Sequence, residues 1–209
     1  MDKKWVIFDV MGVIFKDGDS INGLLVPYLR NINRNITREK VYDLYLKGSA
    51  GKLKSRDIWR KLNVAHIFPK VEKDFLNKCF RLDKSFIKTA KTLKKKYKLA
   101  ILSNDVLEWS DHLRKKHDLD RFFNVIVISG EVKCRKPQEK IYRIILKKTR
   151  AKPENCVFID DKSRNLIPAA EMGFKTIKFN RNNSKDDFCA DFEIDSFVKL
   201  PKAIEKVFK

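Results

Sequence analysis

Three apolar runs end in groups that can do polar chemistry: WVIFD closes on Asp9, KLAILSN on Ser103 and Asn104, and CVFIDD on Asp160 and Asp161. A further group, Lys136, stands immediately before Pro137. Three carboxylates brought to one rim repel each other and need a cation. Hard oxygen ligands of this kind suit Mg²⁺, which retains water and also binds phosphate. Lys136 would add a fixed positive charge, while Ser103 and nearby backbone N–H groups would donate to phosphate oxygens. A carboxylate nucleophile, a metal and a lysine together specify covalent phosphoryl transfer through an aspartyl-phosphate. Taken singly, each residue has a plainer reading. Asp9, Asp160 and Asp161 serve equally well as helix caps after strands, Ser103 as a strand-end hydroxyl, and Lys136 as one lysine among many.

What would gather them is the order of elements along the chain. The runs at 5–9, 98–104, 124–129 (NVIVIS) and 156–161 read as buried strands, with FKTIKF (174–179) and ADFEID (190–195) as weaker ones. Amphipathic spacing predicts helices over 85–96, 105–117, 137–149 opening on Pro137, and 162–172 closing at Gly173. Strand and helix alternate, which implies an α/β fold: a Rossmann-like, mostly parallel sheet with helices on both faces. In such a sheet ligands bind beyond the carboxyl ends of the strands, near the switch in strand order. Asp9, Ser103, Asn104, Asp160 and Asp161 then share one crevice, within reach of Lys136. Residues 16–84 break the alternation. They give helices at 21–33, at 38–47 ended by Gly48, at 56–62 capped by Ser55, and at 70–80. The expected organisation is a core of residues 1–15 and 85–209, with a small all-helical segment, 16–84, inserted after the first strand.

Composition narrows the function classes. The 209 residues are 43% hydrophobic and 11% aromatic with 7 Gly and 6 Pro, which excludes a disordered or fibrous chain. No run approaches the ~18 apolar residues of a membrane span, and the opening apolar stretch turns polar at Lys16 and Asp17, so neither a signal peptide nor a membrane partner is expected. Four widely spaced cysteines without a CxxC pair argue against a zinc or redox site and fit a reducing cytoplasm. The net charge of +20 admits an acidic partner such as nucleic acid. The basic residues are spread along the chain, however, and the densest run, KTAKTLKKKYK (88–98), has helical spacing, so solvated helix faces are the favoured reading. The three histidines show no ligand spacing. Trp59 and Trp109 fit helix packing, with Trp109 close enough to Ser103 to border the crevice; Lys47, Arg56 and Trp59 are candidates for its entrance.

Taken together the motifs resemble the haloacid dehalogenase superfamily along nearly the whole chain, and within it the small phosphatases related to glucose-1-phosphatase and to the N-terminal domain of soluble epoxide hydrolase. FDVMGVI is similar to the family's first motif, which implies Asp9 as nucleophile and metal ligand, with the backbone carbonyl of Met11 as a further ligand. ILSND resembles the second, with Ser103 and Asn104 at the phosphate; Lys136 in CRKPQEKIY resembles the third; VFIDDKSRN resembles the fourth, with Asp161 the direct ligand and Asp160 beside it. The 16–84 segment falls where the family carries its helical cap. One departure stands out: Met11 occupies the position of the aspartate that protonates the leaving oxygen and later activates water. Losing a general acid costs about 10²–10⁴ in rate. The resemblance therefore implies a Mg²⁺-dependent phosphohydrolase of a small phosphorylated metabolite, slowed at Met11. Its rivals are a metal-independent 2-haloacid dehalogenase, whose halide leaves without a proton, and a binding protein on a retired catalytic scaffold.

Overall fold

The computed structural model describes residues 3–185 and 187–209. Strand β1 (Trp5–Phe8) is followed by a turn of π-helix at Ser20–Leu25 and then by α1 (Val26–Ile32), α2 (Arg38–Ser49), α3 (Ser55–Lys61), α4 (Lys70–Cys79) and α5 (Lys84–Leu93). Next come β2 (Lys98–Ser103), α6 (Leu107–Lys116), β3 (Val125–Ile128), α7 (Ser129–Val132) and α8 (Glu139–Thr149). The chain ends with β4 (Cys156–Asp160), α9 (Ser163–Glu171), β5 (Lys175–Phe179), β6 (Phe192–Ile194) and α10 (Leu200–Val207). The strands form one sheet in the order β3-β2-β1-β4-β5-β6, and every neighbouring pair is parallel. This is the expected α/β architecture.

The central strands are apolar on both faces because helices cover both faces. Val6, Phe8, Leu99, Ile101, Val157 and Ile159 point to one side, where Phe86 and Ala90 of α5 and Leu200 and Ile204 of α10 meet them. The alternate residues Trp5, Ile7, Ala100, Leu102 and Phe158 point to the other, against Ile141 and Tyr142 of α8 and Leu166 of α9. In this order the chain reverses its direction of growth between β1 and β4. The crevice beyond their carboxyl ends is the switch point at which open α/β sheets bind ligands.

Several local expectations shift for identifiable reasons. The predicted helix at 21–33 divides, with its first turn π-helical, because Pro27 lies in the first turn of α1 and cannot supply the N–H that a continuous helix needs. Gly48 does not end α2, which runs on to Ser49; a Cβ at Gly48 would stand 2.5 Å from Ile58 Cδ1, so the glycine is there to admit α3. The turn falls at Gly51, whose φ is +70°. Ser55 is the first residue of α3 and makes no capping hydrogen bond. Pro137 precedes α8 by two residues, because a turn closed by Gln138 N–H on the Arg135 carbonyl (2.8 Å) comes first.

The helices between β1 and β2 leave and rejoin the sheet through a short antiparallel junction: Lys16 N–H donates to the Arg81 carbonyl (2.9 Å) and Asp83 N–H to Ile14 (3.0 Å). They share a continuous apolar core with α6. Trp59, Phe75, Phe80 and Trp109 pack with ring centroids 5.3–6.1 Å apart. Trp59 and Trp109 are both buried here, away from the crevice. One carboxylate oxygen, Glu72 Oε2, accepts both indole N–H groups, at 2.6 and 2.7 Å. Glu72→Ala should leave two buried donors without acceptors and destabilise the fold by about 2–4 kcal/mol, read as a lowered midpoint in urea unfolding. An unchanged midpoint would show that the two indoles find other acceptors.

Candidate active site

Asp9 follows β1 and extends its pairing, donating its N–H to the Ile159 carbonyl (2.8 Å), so its side chain emerges beside the end of β4. Lys136 Nζ lies between two carboxylates, 2.9 Å from Asp9 Oδ1 and 2.6 Å from Asp160 Oδ2. All three side chains are almost wholly buried. Burial pulls the lysine's pKa down, but Asp160 and Asp9 more than offset it and hold the ammonium above its usual range.

Asp160 and Asp161 differ sharply in their surroundings. Asp160 is saturated: besides Lys136, it accepts the Lys162 backbone N–H (2.8 Å) and Asn165 Nδ2, which is 3.0 Å from each oxygen. Asp161 Oδ1 is buried and has no hydrogen-bond partner among the described residues. Its Oδ2 leans into space that two glycines leave open, since a Cβ would stand 2.3 Å away at Gly12 and 2.4 Å away at Gly18. Burial first, then the charges of Asp160 and Asp9, push the Asp161 carboxyl up to about 8. Asp9 is raised too, chiefly by burial and against the pull of Lys136. Oxygens of the three aspartates lie within 4.8 Å of one another. An orphaned carboxylate oxygen beside two further carboxylates is the donor set a hard divalent cation takes.

Ser103, at the end of β2, also has a buried hydroxyl without a partner. Asn104 does different work. Its Oδ1 accepts the Lys136 N–H (2.8 Å) and its Nδ2 donates to the Lys136 carbonyl (2.9 Å), so both ends of the amide hold the lysine's backbone in place. Met11 lines the same cavity with its side chain buried.

Several contributors were not singled out from sequence. Arg181, beyond β5, donates to the carbonyls of Gly12 (3.3 Å) and Val13 (2.7 Å) and pairs with Asp83 at 2.7 Å, pinning the loop after Asp9. Lys162 Nζ holds the Gly18 carbonyl (2.9 Å). Asn165 could have been noticed, because it lies five residues after Asp160, on the first turn of α9. Arg181 left no such trace. The cavity over Asp9 has a volume of about 470 Å³, and its far wall is Arg38, Tyr42 and Tyr45 of α2. Lys47, Arg56 and Trp59 do not line it.

The doubly wound parallel sheet places a buried Asp–Lys–Asp group and an adjacent orphaned carboxylate at its switch point. A family model for haloacid dehalogenase-like hydrolases matches residues 6–179, and the chain belongs to that family. It is 34% identical over 101 residues to bifunctional epoxide hydrolase 2 of Rattus norvegicus, a match covering 46% of this chain but only 18% of that protein. Among solved structures, a HAD phosphatase from Thermococcus onnurineus aligns with TM-score 0.76 and 20% identity over 96% of this chain and 97% of that one. A 2-haloacid dehalogenase from Pseudomonas syringae aligns with TM-score 0.75 and 15% identity over 98% and 99%. These structural likenesses establish the fold.

The raised Asp161 carboxyl makes a pH-dependent prediction for metal-free protein. An acid whose folded pKa lies above its unfolded value (3.8 here) binds more protons folded than unfolded, so its contribution to stability falls as pH rises from about 4 to 8. A divalent cation binds the deprotonated form and removes that penalty. Mg²⁺ should therefore raise the melting temperature, and by more at pH 8 than at pH 6. No gain, or an equal gain at both pH values in a calorimetric scan, would count against a metal at Asp161.

Proposed function

We propose that the chain is a Mg²⁺-dependent phosphohydrolase of a small phosphorylated metabolite, with Asp9 as nucleophile and an aspartyl-phosphate intermediate. The observation that carries this reading is an orphaned buried oxygen, Asp161 Oδ1, beside a carboxylate already charge-paired with Lys136, together with the buried, unpartnered Ser103 hydroxyl at the end of β2. The first suits a cation and the second a phosphate oxygen. Asp9, Asp161 and the Met11 carbonyl would hold Mg²⁺, which when bound neutralises charge and lets a phosphate dianion approach two carboxylates. Asp9 attacks phosphorus, while the Lys136 ammonium and the Ser103 hydroxyl hold the transferring oxygens. Asp160 contributes at one remove: with its oxygens engaged by Lys136, Lys162 and Asn165, it positions Lys136 and adds negative charge behind it. Asn104 positions the same lysine from its backbone, and no phosphate contact is assigned to its side chain.

Residues 16–84 act as a cap in this proposal. Tyr45 donates to the Asn104 carbonyl (3.0 Å) and Ser129 to the Ser49 carbonyl (2.5 Å), tying α2 to the loops beside the nucleophile. No helix among the described residues is long and apolar enough to cross a membrane. The four cysteines are free, in keeping with a reducing cytoplasm as the proposed setting.

Asp9→Asn should abolish turnover and beryllofluoride trapping while leaving the melting temperature within a few degrees of wild type, because the amide keeps the shape but cannot attack phosphorus. Wild-type turnover in the variant would remove Asp9 from the mechanism. Hydrolysis of 2-chloropropionate without Mg²⁺, with no p-nitrophenyl phosphate cleavage in its presence, would favour the dehalogenase instead. Met11 offers no proton to a leaving oxygen, so rates should depend steeply on leaving-group pKa. Met11→Asp should speed alkyl phosphates by about 10-fold or more while changing p-nitrophenyl phosphate little. A flat dependence in wild type, left unmoved by Met11→Asp, would mean that another residue supplies the proton.

A further inference from the structure

Three of the cations around the cavity are committed to building it: Lys136 to Asp9 and Asp160, Lys162 to the Gly18 carbonyl, and Arg181 to Asp83. Lys16, Arg38, Arg135 and Arg164 also line the cavity, and none forms an ion pair with the described residues. Arg135 is the most telling of these. Its Nη1 is buried and has no hydrogen-bond partner among the described residues, although an unsatisfied buried donor on a charged group is costly. Its guanidinium lies 5.5 Å from the Tyr45 ring centre, and Tyr45 is bound through the Asn104 carbonyl to the turn that carries Lys136. Arg38, Tyr42 and Tyr45 stand at i, i+4 and i+7 on α2 and so share the helix face turned to the cavity. Arg38 Nε is steadied by Asn22 Oδ1 at 2.5 Å.

Histidines and free carboxyl groups, the commonest general acids, are scarce by comparison. Among the described residues no histidine lines the cavity, and the carboxyl groups that line it are Asp9, Asp19 and Asp161. The first is the nucleophile and the third a metal ligand in the reading above. Asp19 accepts the Asn22 backbone N–H on one oxygen and Asn22 Nδ2 on the other, both at 2.9 Å. Burial would raise its pKa, but these bonds bring it below the usual carboxylate range, so it is ionised when the site works. The described residues of the cavity thus offer cations to an anion and no free carboxylic acid to an alkoxide.

We propose that the physiological substrate is an acid anhydride of phosphate, an acyl phosphate or a pyrophosphate, whose leaving group departs as an oxyanion held by Arg135 and Arg38. The proposal rests on the phosphohydrolase reading and names its substrate class. An Asp9 oxygen bonds to phosphorus, the bridging P–O bond breaks, and its electron pair stays on the leaving oxygen. That oxygen leaves as carboxylate or phosphate, and no proton is transferred. Water then attacks the aspartyl-phosphate at phosphorus, releasing inorganic phosphate and regenerating the Asp9 carboxylate, with the water's proton passing to solvent.

The test compares acetyl phosphate, pyrophosphate, glycerol 3-phosphate and p-nitrophenyl phosphate on the full chain with Mg²⁺. One of the two anhydrides should exceed glycerol 3-phosphate in kcat/KM by about 100-fold or more, the scale of a missing general acid. Preference for acetyl phosphate assigns a carboxyl leaving group and preference for pyrophosphate a phosphoryl one. Arg38 is exposed, so Arg38→Gln should fold. It should raise KM for the preferred anhydride by about 10-fold, as for loss of a charged hydrogen bond, and clearly more than it raises KM for p-nitrophenyl phosphate. If p-nitrophenyl phosphate is cleaved in an Asp9-dependent way but neither anhydride outruns glycerol 3-phosphate, or Arg38→Gln shifts all substrates alike, the anhydride proposal fails and the phosphohydrolase stands. If no phosphate compound is cleaved, both fall.

Discussion

The site depends on one ammonium group placed between two buried carboxylates. Lys136 Nζ is within 2.9 Å of both Asp9 and Asp160, where little water reaches any of the three. Removing the lysine would leave two carboxylates buried without their cation, a loss that typically costs about 3–5 kcal/mol. The surrounding structure is arranged to keep the lysine there. Asn104 holds its backbone from β2, Asn165 and the Lys162 N–H hold Asp160 from α9, and Asp9 is fixed by its hydrogen bond to β4. Four strand-to-helix connections thus converge on one charge. The parallel sheet is what brings their ends together.

Saturating Asp160 has a consequence for its neighbour. With Asp160 engaged by three donors, the uncompensated negative charge collects on Asp161, whose Oδ1 has no partner and whose Oδ2 sits where glycines 12 and 18 leave room. Adjacent aspartates on one strand end therefore divide the work, one building the site and the other left available. Gly12 is doubly constrained, since its φ of +83° also lies in the left-handed region that disfavours side chains. Arg181 fixes the loop's carbonyls from the opposite side.

The sheet and its strand-end carboxylates were legible because buried parallel strands are short apolar runs and their polar ends are conspicuous. Asp9, Lys136, Asp160 and Asp161 come to one place, while Ser103 ends β2 with a buried hydroxyl and does not line the cavity. What stayed hidden depends on side-chain direction or on distant partners. Nothing local marks Arg181, whose partners Gly12, Val13 and Asp83 are about 100 residues or more away in sequence. Gly48 reads as a helix end by type, but its reason is the approach of Ile58 from another helix. Among the inserted helices, amphipathic spacing locates an apolar face without saying which polar residues look into the crevice. Trp59 consequently lies in the core, and Arg38 and Tyr42 form the cavity wall.

The charge of +20 separates into two physical populations once the fold is known. Many of its lysines and arginines lie on solvated helix faces beside acids one turn away, as in Lys47–Asp43, Lys78–Asp74, Lys115–Asp111 and Lys199–Asp195. Pairs of that kind are worth about 0–1 kcal/mol and are screened by salt, so they account for solubility more than for function. Among the cations around the cavity, Arg135, Lys136, Lys162 and Arg181 are buried or half-buried in a concave space, where the same unit charge acts more strongly because less water intervenes. Lys136 there is balanced by two carboxylates, whereas Arg135 keeps a buried donor with no acceptor. Only the second population therefore carries an electrostatic preference for a ligand, and it acts within a few ångströms of the site rather than across the molecular surface.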